Sequence, residues 1–202
     1  FNWINRIFLL VICLAIIVPI WNVLITSVAV DKDVMGSDYL LVPHSFTLKN
    51  YQRVLQSGYM QAFKNSIFVA FVGTALSMLI SLPLGYALSR KELVGRNFWM
   101  KMLSFTLVFD VGIMPFYIVV KSLHLINSMA AIIVPVAVST FNVIIIKNYM
   151  TSIPESLVES ARLDGCNDVV ILVKIIIPLS ISIIAAVVLF YFVSYWNRYF
   201  EV

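Results

Sequence analysis

Five long apolar runs dominate this chain and limit what it can fold into. They cover about residues 7–30, 66–89, 102–120, 129–146 and 169–195. A helix needs roughly 20 residues to cross the ~30 Å hydrocarbon core of a bilayer, and each run is close to that length. Because a spanning segment must satisfy its backbone hydrogen bonds internally, the runs predict an all-α, polytopic transmembrane helical bundle.

The composition argues against the usual soluble classes. Hydrophobic residues make up 61% of the chain and charged residues 12%, whereas soluble domains contain about 45–50% and about 25%. The net charge of +4 is spread over the loops, so it does not indicate a nucleic-acid partner. Cys13 and Cys166 lie far apart without histidines at ligand spacing, so we expect neither a disulfide nor a metal site.

Basic residues set the expected orientation, because cytoplasmic loops of membrane proteins carry more lysine and arginine. The short loops near residues 95 and 160 are the more basic ones, and the N-terminus falls on the same side. We therefore expect these three segments in the cytoplasm. The longer polar loop 31–65 is then external, and residues 47–55 within it have the apolar spacing of a short surface helix.

Small residues recur at every fourth position of the second run. Residues four apart lie on one face of a helix. A stripe of small side chains lets a neighbouring helix approach closely. We therefore predict close helix packing along Gly73, Ser77, Ser81 and Gly85.

The polar loop 151–168 is predicted to form a short helix with defined ends. Ser152, followed three residues later by Glu155, matches a capping box, which would start the helix there. Gly165 suits the left-handed conformation that ends many helices, so the helix would stop at about residue 163 or 164. Asn167 or Asp168 would cap the next helix, which is expected to continue directly into the fifth run.

This predicted helix has two different faces. Spacings of three and four residues place Glu155, Glu159 and Arg162 on one face and Leu157, Val158 and Ala161 on the other. A helix of about ten residues is marginal alone, so its apolar face needs a surface to pack against. The residues leave two possibilities open: the membrane surface, or a groove in a partner protein.

Motifs of an enzyme or an ATPase are missing from the sequence. The glycines never form the phosphate-binding patterns G-x-G or G-x-x-x-x-G-K, and the sequence shows no nucleophile-and-base set. We therefore expect no catalytic residue, no metal and no cofactor in this chain.

The loop 151–168 resembles the cytoplasmic loop of ABC-importer permeases. Their pattern is E-A-A-x3-G-x9-I-x-L-P, and this chain has it from Glu159 to Pro178, with Ser160 and Ile177 as conservative departures. The resemblance implies a cytoplasmic coupling helix that docks on a separate ATPase subunit and transmits its motion. The docking residues it implies are Glu159, Ala161, Arg162, Asp164 and Gly165.

Other segments resemble the carbohydrate-uptake branch of that family. Residues 152–165 and 83–90 and the Trp196-Asn197 pair are similar to maltose-type permeases, and residues 115–128 resemble the subgroup for oligosaccharides of complex polysaccharides. The resemblance implies ATP-driven import of sugars across a prokaryotic cytoplasmic membrane by alternating access. It also implies a second permease subunit, two ATPase subunits that bind ATP and Mg, and an extracytoplasmic solute-binding protein.

Members of this family have six spans, the last one following the Trp-Asn motif. We therefore expect the 202 residues to form a single transmembrane domain whose last span and first residues lie outside them. A permease for another solute, such as a peptide or phosphate, would have the same coupling loop. A membrane enzyme or a channel is a further alternative, and it would have no ATPase partner.

Four residues are candidates for the transport path: Asp110, Asn142, Tyr195 and Trp196. A carboxylate inside a span is costly and normally faces a cavity or a neighbouring helix. Asp110 would therefore accept hydrogen bonds from sugar hydroxyls or from nearby backbone. Aromatic rings suit sugars, but for the aromatic residues at the end of the fifth run we favour a belt at the membrane interface, the more common arrangement.

Overall fold

A computed structural model describes residues 2–35, 42, 45–109 and 112–198. These residues form twelve α-helices and no β-strand, as the apolar runs predict. The chain divides into two compact units, residues 1–63 and residues 64–202.

The first unit is built on the long helix α1, Asn2–Val28. Its side chains are apolar and exposed, which suits a helix surrounded by lipid. The short α2 (Asp31–Met35) and then α3 (Lys49–Gln56) follow it. The Tyr51 hydroxyl of α3 lies 2.9 Å from Oγ of Ser27, near the end of α1. The short helix predicted in this loop is confirmed.

Helix α4, Tyr59–Ser89, contains the second apolar run. Both α1 and α4 are long and apolar enough to cross a membrane as single helices. Three pairs of consecutive bent helices pass the same test together, and counting each pair as one span gives five, the number predicted. The first two pairs are α5 (Arg96–Val108) with α6 (Ile113–Ser122), and α7 (Ala130–Ile133, extended by a 3₁₀ turn, Val134–Val136) with α8 (Thr140–Ser152).

The third pair makes up the fifth run, which bends by 88° before its final helix. As predicted, the helix that follows the loop continues directly into this run: its helical backbone is continuous from Asp168 to Leu179, and the bend comes just after Pro178. Pro178 has no amide hydrogen for the carbonyl four residues earlier, and the backbone widens into a π-helical turn just before it. The N–H of Ser180, at the bend, donates to the carbonyls of Ile176 and Ile177 at 3.0 Å. The segments are α10 (Asp168–Ile171), the π turn (Leu172–Ile176), α11 (Ile177–Leu179) and α12 (Ile181–Trp196).

The stripe of small residues on α4 lies at the centre of the second unit. A Cβ added at Gly73 would lie 2.7 Å from the ring of Tyr195, and one added at Gly85 would lie 2.5 Å from Ile146. Helices α12 and α8 can therefore reach α4 only because these positions carry no side chain. The predicted close packing is confirmed, with all four residues of the stripe buried: Gly73, Ser77, Ser81 and Gly85.

Candidate functional site

The helix predicted in the polar loop is α9, Glu155–Leu163, and its start differs from the prediction. Ser152 is the last residue of α8, and its hydroxyl donates to the carbonyl of Tyr149 at 2.7 Å. Pro154 precedes α9 and provides no side-chain cap. The predicted capping box is therefore wrong, because the preceding helix extends far enough to use the Ser152 hydroxyl itself.

The end of α9 follows the prediction. Gly165 has a left-handed backbone, with φ +81°. The N–H of Gly165 donates to the carbonyl of Arg162, and the N–H of Cys166 donates to the carbonyl of Ala161, both at 3.0 Å. These two bonds form a Schellman motif, which satisfies the last carbonyls of the helix. Asn167 then caps α10, accepting a hydrogen bond from the N–H of Val170 at 2.9 Å. Of the two predicted caps, Asn167 and Asp168, it is therefore Asn167 that starts this helix.

The apolar face of α9 packs inside the chain itself. Val158 and Ala161 are only 2% and 6% exposed and belong to one buried cluster with Ile171 of α10. Neither predicted covering, a bilayer or a partner groove, is therefore needed for these two side chains. Among the predicted docking residues, Ala161 is thus interior, whereas the exposed members are Glu159, Arg162, Asp164 and Gly165.

Ion pairs connect α9 to the loop between α4 and α5. The Nζ of Lys91 lies 2.9 Å from Oε2 of Glu155, at the start of α9. Near its end, the guanidinium of Arg162 lies 2.9 Å from Glu92 and 3.2 Å from Asp168. Each pair is solvent-exposed and weak alone, but together they join both ends of α9 to the same short loop.

The first of these pairs remains charged at neutral pH. The hydrogen bond from Lys91 lowers the pKa of the Glu155 carboxyl below its ordinary value. The same bond raises the pKa of Lys91 above its ordinary value. The pair is therefore lost only when the pH falls through the lowered carboxyl pKa or rises through the raised ammonium pKa.

Arg90 and Tyr86 extend this network into the membrane helices. The guanidinium carbon of Arg90 lies 4.9 Å from the centre of the Tyr86 ring, a cation–π geometry. Arg90 also donates to the carbonyl of Met150 in α8 at 3.3 Å. The Tyr86 hydroxyl donates to Asp168 at 3.4 Å. A displacement of α9 would thus act directly on α4, α8 and α10.

A second feature is a cavity of about 440 Å³ between the start of α8 and the end of α12. Asn142 and Tyr195, two of the predicted transport-path residues, line it. Trp196 does not: it stacks on Phe192, with ring centroids 6.1 Å apart. Asp110, the fourth candidate, lies outside the described residues.

Tyr195 is 4% exposed, so the membrane-interface belt favoured for it is wrong. Its hydroxyl lies 2.9 Å from Oγ of Ser77 and donates to the carbonyl of Ile133 at 3.3 Å. Tyr191 is buried in the same way, with its hydroxyl 2.7 Å from Oγ of Ser81. The stripe of small residues on α4 leaves room for the Tyr195 ring at Gly73, and its serines hydrogen-bond to both tyrosine hydroxyls.

Sequence reasoning missed several residues of these two sites. Leu163 ends α9 with 89% of its surface exposed, so it offers an apolar contact beside the charged residues of this helix. Glu92 pairs with Arg162 of α9, and Arg198 lines the cavity, only because the fold brings distant segments together. In the sequence, the only hint of a role for either residue is a charge near the end of a predicted helix.

Residues 81–202 match the family model described as binding-protein-dependent transport system inner membrane component. The chain is 42% identical to the polygalacturonan/rhamnogalacturonan transport system permease protein YtcP of Bacillus subtilis (strain 168), over 95% of this chain and 68% of that protein. It is 35% identical to Protein LplC of the same organism, over 92% of this chain and 63% of that protein. The chain thus spans about two thirds of the length of these relatives.

The fold also matches a chain in the crystal structure of a bacterial ABC transporter involved in the import of the acidic polysaccharide alginate. The TM-score is 0.94 and the sequence identity 32%, over 98% of this chain and 71% of that chain. The arrangement of bent helices around α4 and α9 is therefore shared with that transporter chain.

Proposed function

This chain belongs to the family of binding-protein-dependent transport system inner membrane components, and we propose from this that it moves oligosaccharides across the cytoplasmic membrane of a prokaryote as an ABC-importer permease. Support for the sugar comes from two relatives, one named for polygalacturonan and rhamnogalacturonan and one for alginate. Transport would proceed by alternating access, in which the kinked spans open to one side of the membrane at a time.

The observation that carries this proposal is the attachment of α9. Its exposed residues Glu159, Arg162 and Leu163 offer charge and an apolar contact to a partner, while its buried face and ion pairs bind it to α4, α8 and α10. A helix held in this way moves with its partner and carries the membrane helices with it. Ala161 would contribute through tight packing beneath the docking face, and Asp164 and Gly165 through the helix end.

The proposed partner on this face is a separate ATPase subunit. ATP and Mg would be bound there, because this sequence has no phosphate-binding loop. The proposed assembly has two ATPase subunits, a second permease subunit and an extracytoplasmic solute-binding protein. In this assembly the N-terminus and the loops near residues 95 and 160 would face the cytoplasm, and loop 31–65 would face outside. The contact of Lys91 and Glu92 with α9 supports placing both loops on one side.

The test is co-purification of the ATPase, together with ATP-dependent uptake of a labelled oligosaccharide, by the reconstituted transporter. Glu159→Lys reverses a charge on the docking face, and Gly165→Val forces a β-branched residue into a left-handed backbone. We expect both variants to lose ATPase binding and uptake. Gly165→Asn is the matched control, because asparagine tolerates this conformation, and it should keep both. If binding and uptake survive Glu159→Lys and Gly165→Val, the docking assignment is wrong.

A further inference from the structure

Helix α3 has one apolar side and one polar side, and the apolar side is exposed. Tyr51, Val54 and Leu55 fall within about a third of the helix circumference, and they are 48%, 47% and 62% exposed. The rest of the surface is polar: Lys49, Asn50, Gln52, Arg53 and Gln56. Exposed apolar patches with a polar rim are typical of surfaces that contact a protein or a membrane.

Hydrogen bonds hold α3 at the end of the long helix α1. The side-chain amide of Asn50 donates to the carbonyl of Ser27 at 3.3 Å and to that of Ala29 at 3.1 Å. The Tyr51 hydroxyl lies 2.9 Å from Oγ of Ser27. Because α1 is long and apolar enough to cross a membrane, its end lies where the hydrocarbon core meets the lipid headgroups. The bonds therefore place α3 at the level of the membrane surface.

The two sides of α3 are oriented as a membrane surface requires. Tyr51 is in the middle of the apolar side and is also the residue that meets Ser27, so the apolar side adjoins α1, whose side chains are exposed. On the polar side, Arg53 lies 2.9 Å from Asp31, and both remain more than half exposed. Basic residues on one side and apolar residues on the other are typical of helices that lie in the membrane interface.

The apolar surface continues from α3 onto the first turn of α4. A groove of about 460 Å³ lies there, lined by Val54, Tyr59, Met60 and Phe63. Tyr59 begins α4 and is 70% exposed. Tyrosine is enriched at membrane interfaces, where its ring lies in an apolar layer and its hydroxyl reaches water. Since α4 goes on to form a span, the groove lies at the same membrane boundary.

We propose that α3 and the first turn of α4 form a surface that binds the lipid bilayer at its interface. Val54, Leu55 and Tyr59 enter the upper part of the acyl-chain layer, and Lys49 and Arg53 extend among the headgroups. Lipid is the occupant because this surface is continuous with α1 and lies at the level where α1 ends. The inference concerns the loop predicted to be external, and it does not depend on which solute is transported.

The test is fluorescence quenching of the complete transporter in phosphatidylcholine nanodiscs. In a chain carrying Cys13→Ser and Cys166→Ser, an environment-sensitive nitrobenzoxadiazole label is attached at Val54→Cys or Leu55→Cys. Gln52→Cys is the matched control, because it is an exposed position on the polar side of the same helix. We expect the labels at the two apolar positions to emit at shorter wavelength than the control. A nitroxide carried by the lipid near its glycerol should quench both, whereas aqueous iodide should quench the control more strongly.

Three results would overturn the inference. Iodide would quench the labels at Val54 and Leu55 as strongly as the label at Gln52, which would show an apolar side in water. Protection of both labels from iodide and from the lipid nitroxide would show that protein covers this side. Stronger quenching by a nitroxide at the end of the acyl chain would place α3 inside the bilayer. Oligosaccharide uptake by the same preparation, measured after transfer to vesicles, tests the proposed function separately, because lipid contact and uptake can each be found without the other.

Discussion

The hydroxyl of Tyr195 lies 2.9 Å from Oγ of Ser77, which precedes it by 118 residues. One helical turn earlier on α4, Gly73 leaves the space in which the Tyr195 ring sits. The ring therefore joins α12 to α4 by a hydrogen bond at its tip and by tight packing along its side. The same contact closes one wall of the cavity that Tyr195 lines.

Gly73→Ala should destabilise the protein. The new methyl would lie 2.7 Å from Cζ of Tyr195, too close unless the helices separate, and such overpacking costs about 1–3 kcal/mol. We expect a lower melting temperature for the detergent-solubilised protein. Gly58→Ala is the matched control, because an added Cβ there meets nothing within 4 Å. Equal melting temperatures for the two variants would show that the close approach at Gly73 is absent.

Tyr191→Phe should weaken the attachment of α8 to α12. The Tyr191 hydroxyl lies 2.7 Å from Oγ of Ser81 and accepts a hydrogen bond from the N–H of Ser139 at 3.1 Å. Removing it leaves buried polar groups without a partner, which costs about 1–3 kcal/mol. Thermal melting measures the loss. Tyr117→Phe, at an exposed position, should have little effect, and a similar loss in both variants would contradict the assignment.

Each single charge reversal at Lys91 or Glu155 should lower transport-coupled ATP hydrolysis, and exchanging the two charges should restore it. Lys91→Glu or Glu155→Lys places like charges at one end of α9, and we expect each to lower transport-coupled ATP hydrolysis by about two- to fivefold, because exposed pairs are individually weak. The double exchange rebuilds the pair and should recover most of the rate. Lys101→Glu serves as the exposed control on another helix.

The same pair gives an expected pH dependence. Since the Glu155 pKa is lowered, the stabilisation that its charged carboxylate gives to the ion pair is present above the ordinary carboxyl pKa. It is lost as the pH falls through the lowered value. Since the Lys91 pKa is raised, the stabilisation that its ammonium group gives to the ion pair is present below the ordinary ammonium pKa. It is lost as the pH rises through the raised value. The difference between wild type and the single reversals should therefore stay constant around neutral pH. A difference that changes across this range would indicate another titrating group.

Local chemistry explains which helix ends could be predicted. Gly165 ends α9 because glycine tolerates a left-handed backbone, and Asn167 starts α10 because its side chain caps the helix. Both effects are local, so the nearby sequence is enough to predict these two helix ends. Ser152 carries the same kind of signal, but its hydroxyl is used by α8. Which helix a serine serves depends on where the preceding helix stops, and tertiary packing of α8 decides that.

Long-range contacts explain what the sequence could not reveal. Asn142 was predicted to lie on the transport path, yet the residues that line the same cavity from the other side, such as Phe190 of α12, are distant in sequence. Arg162 was expected at a docking face, but its partner Glu92 is 70 residues away. The bend at Ser180 likewise depends on how the chain continues beyond Pro178, because a proline does not by itself divide a helix: α4 continues past Pro83 to Ser89.

Site-directed photocrosslinking tests the central claim, that α9 docks on an ATPase subunit, most directly. In a chain carrying Cys13→Ser and Cys166→Ser, a thiol-reactive benzophenone would be attached at Glu159→Cys or Leu163→Cys, both exposed positions of α9. The same label at Lys49→Cys, in the proposed external loop, is the control. We predict that the two α9 positions crosslink to the ATPase subunit in the assembled transporter and that the Lys49 position does not. An active transporter in which neither α9 position reaches the ATPase, or in which the control position reaches it equally well, would contradict this account.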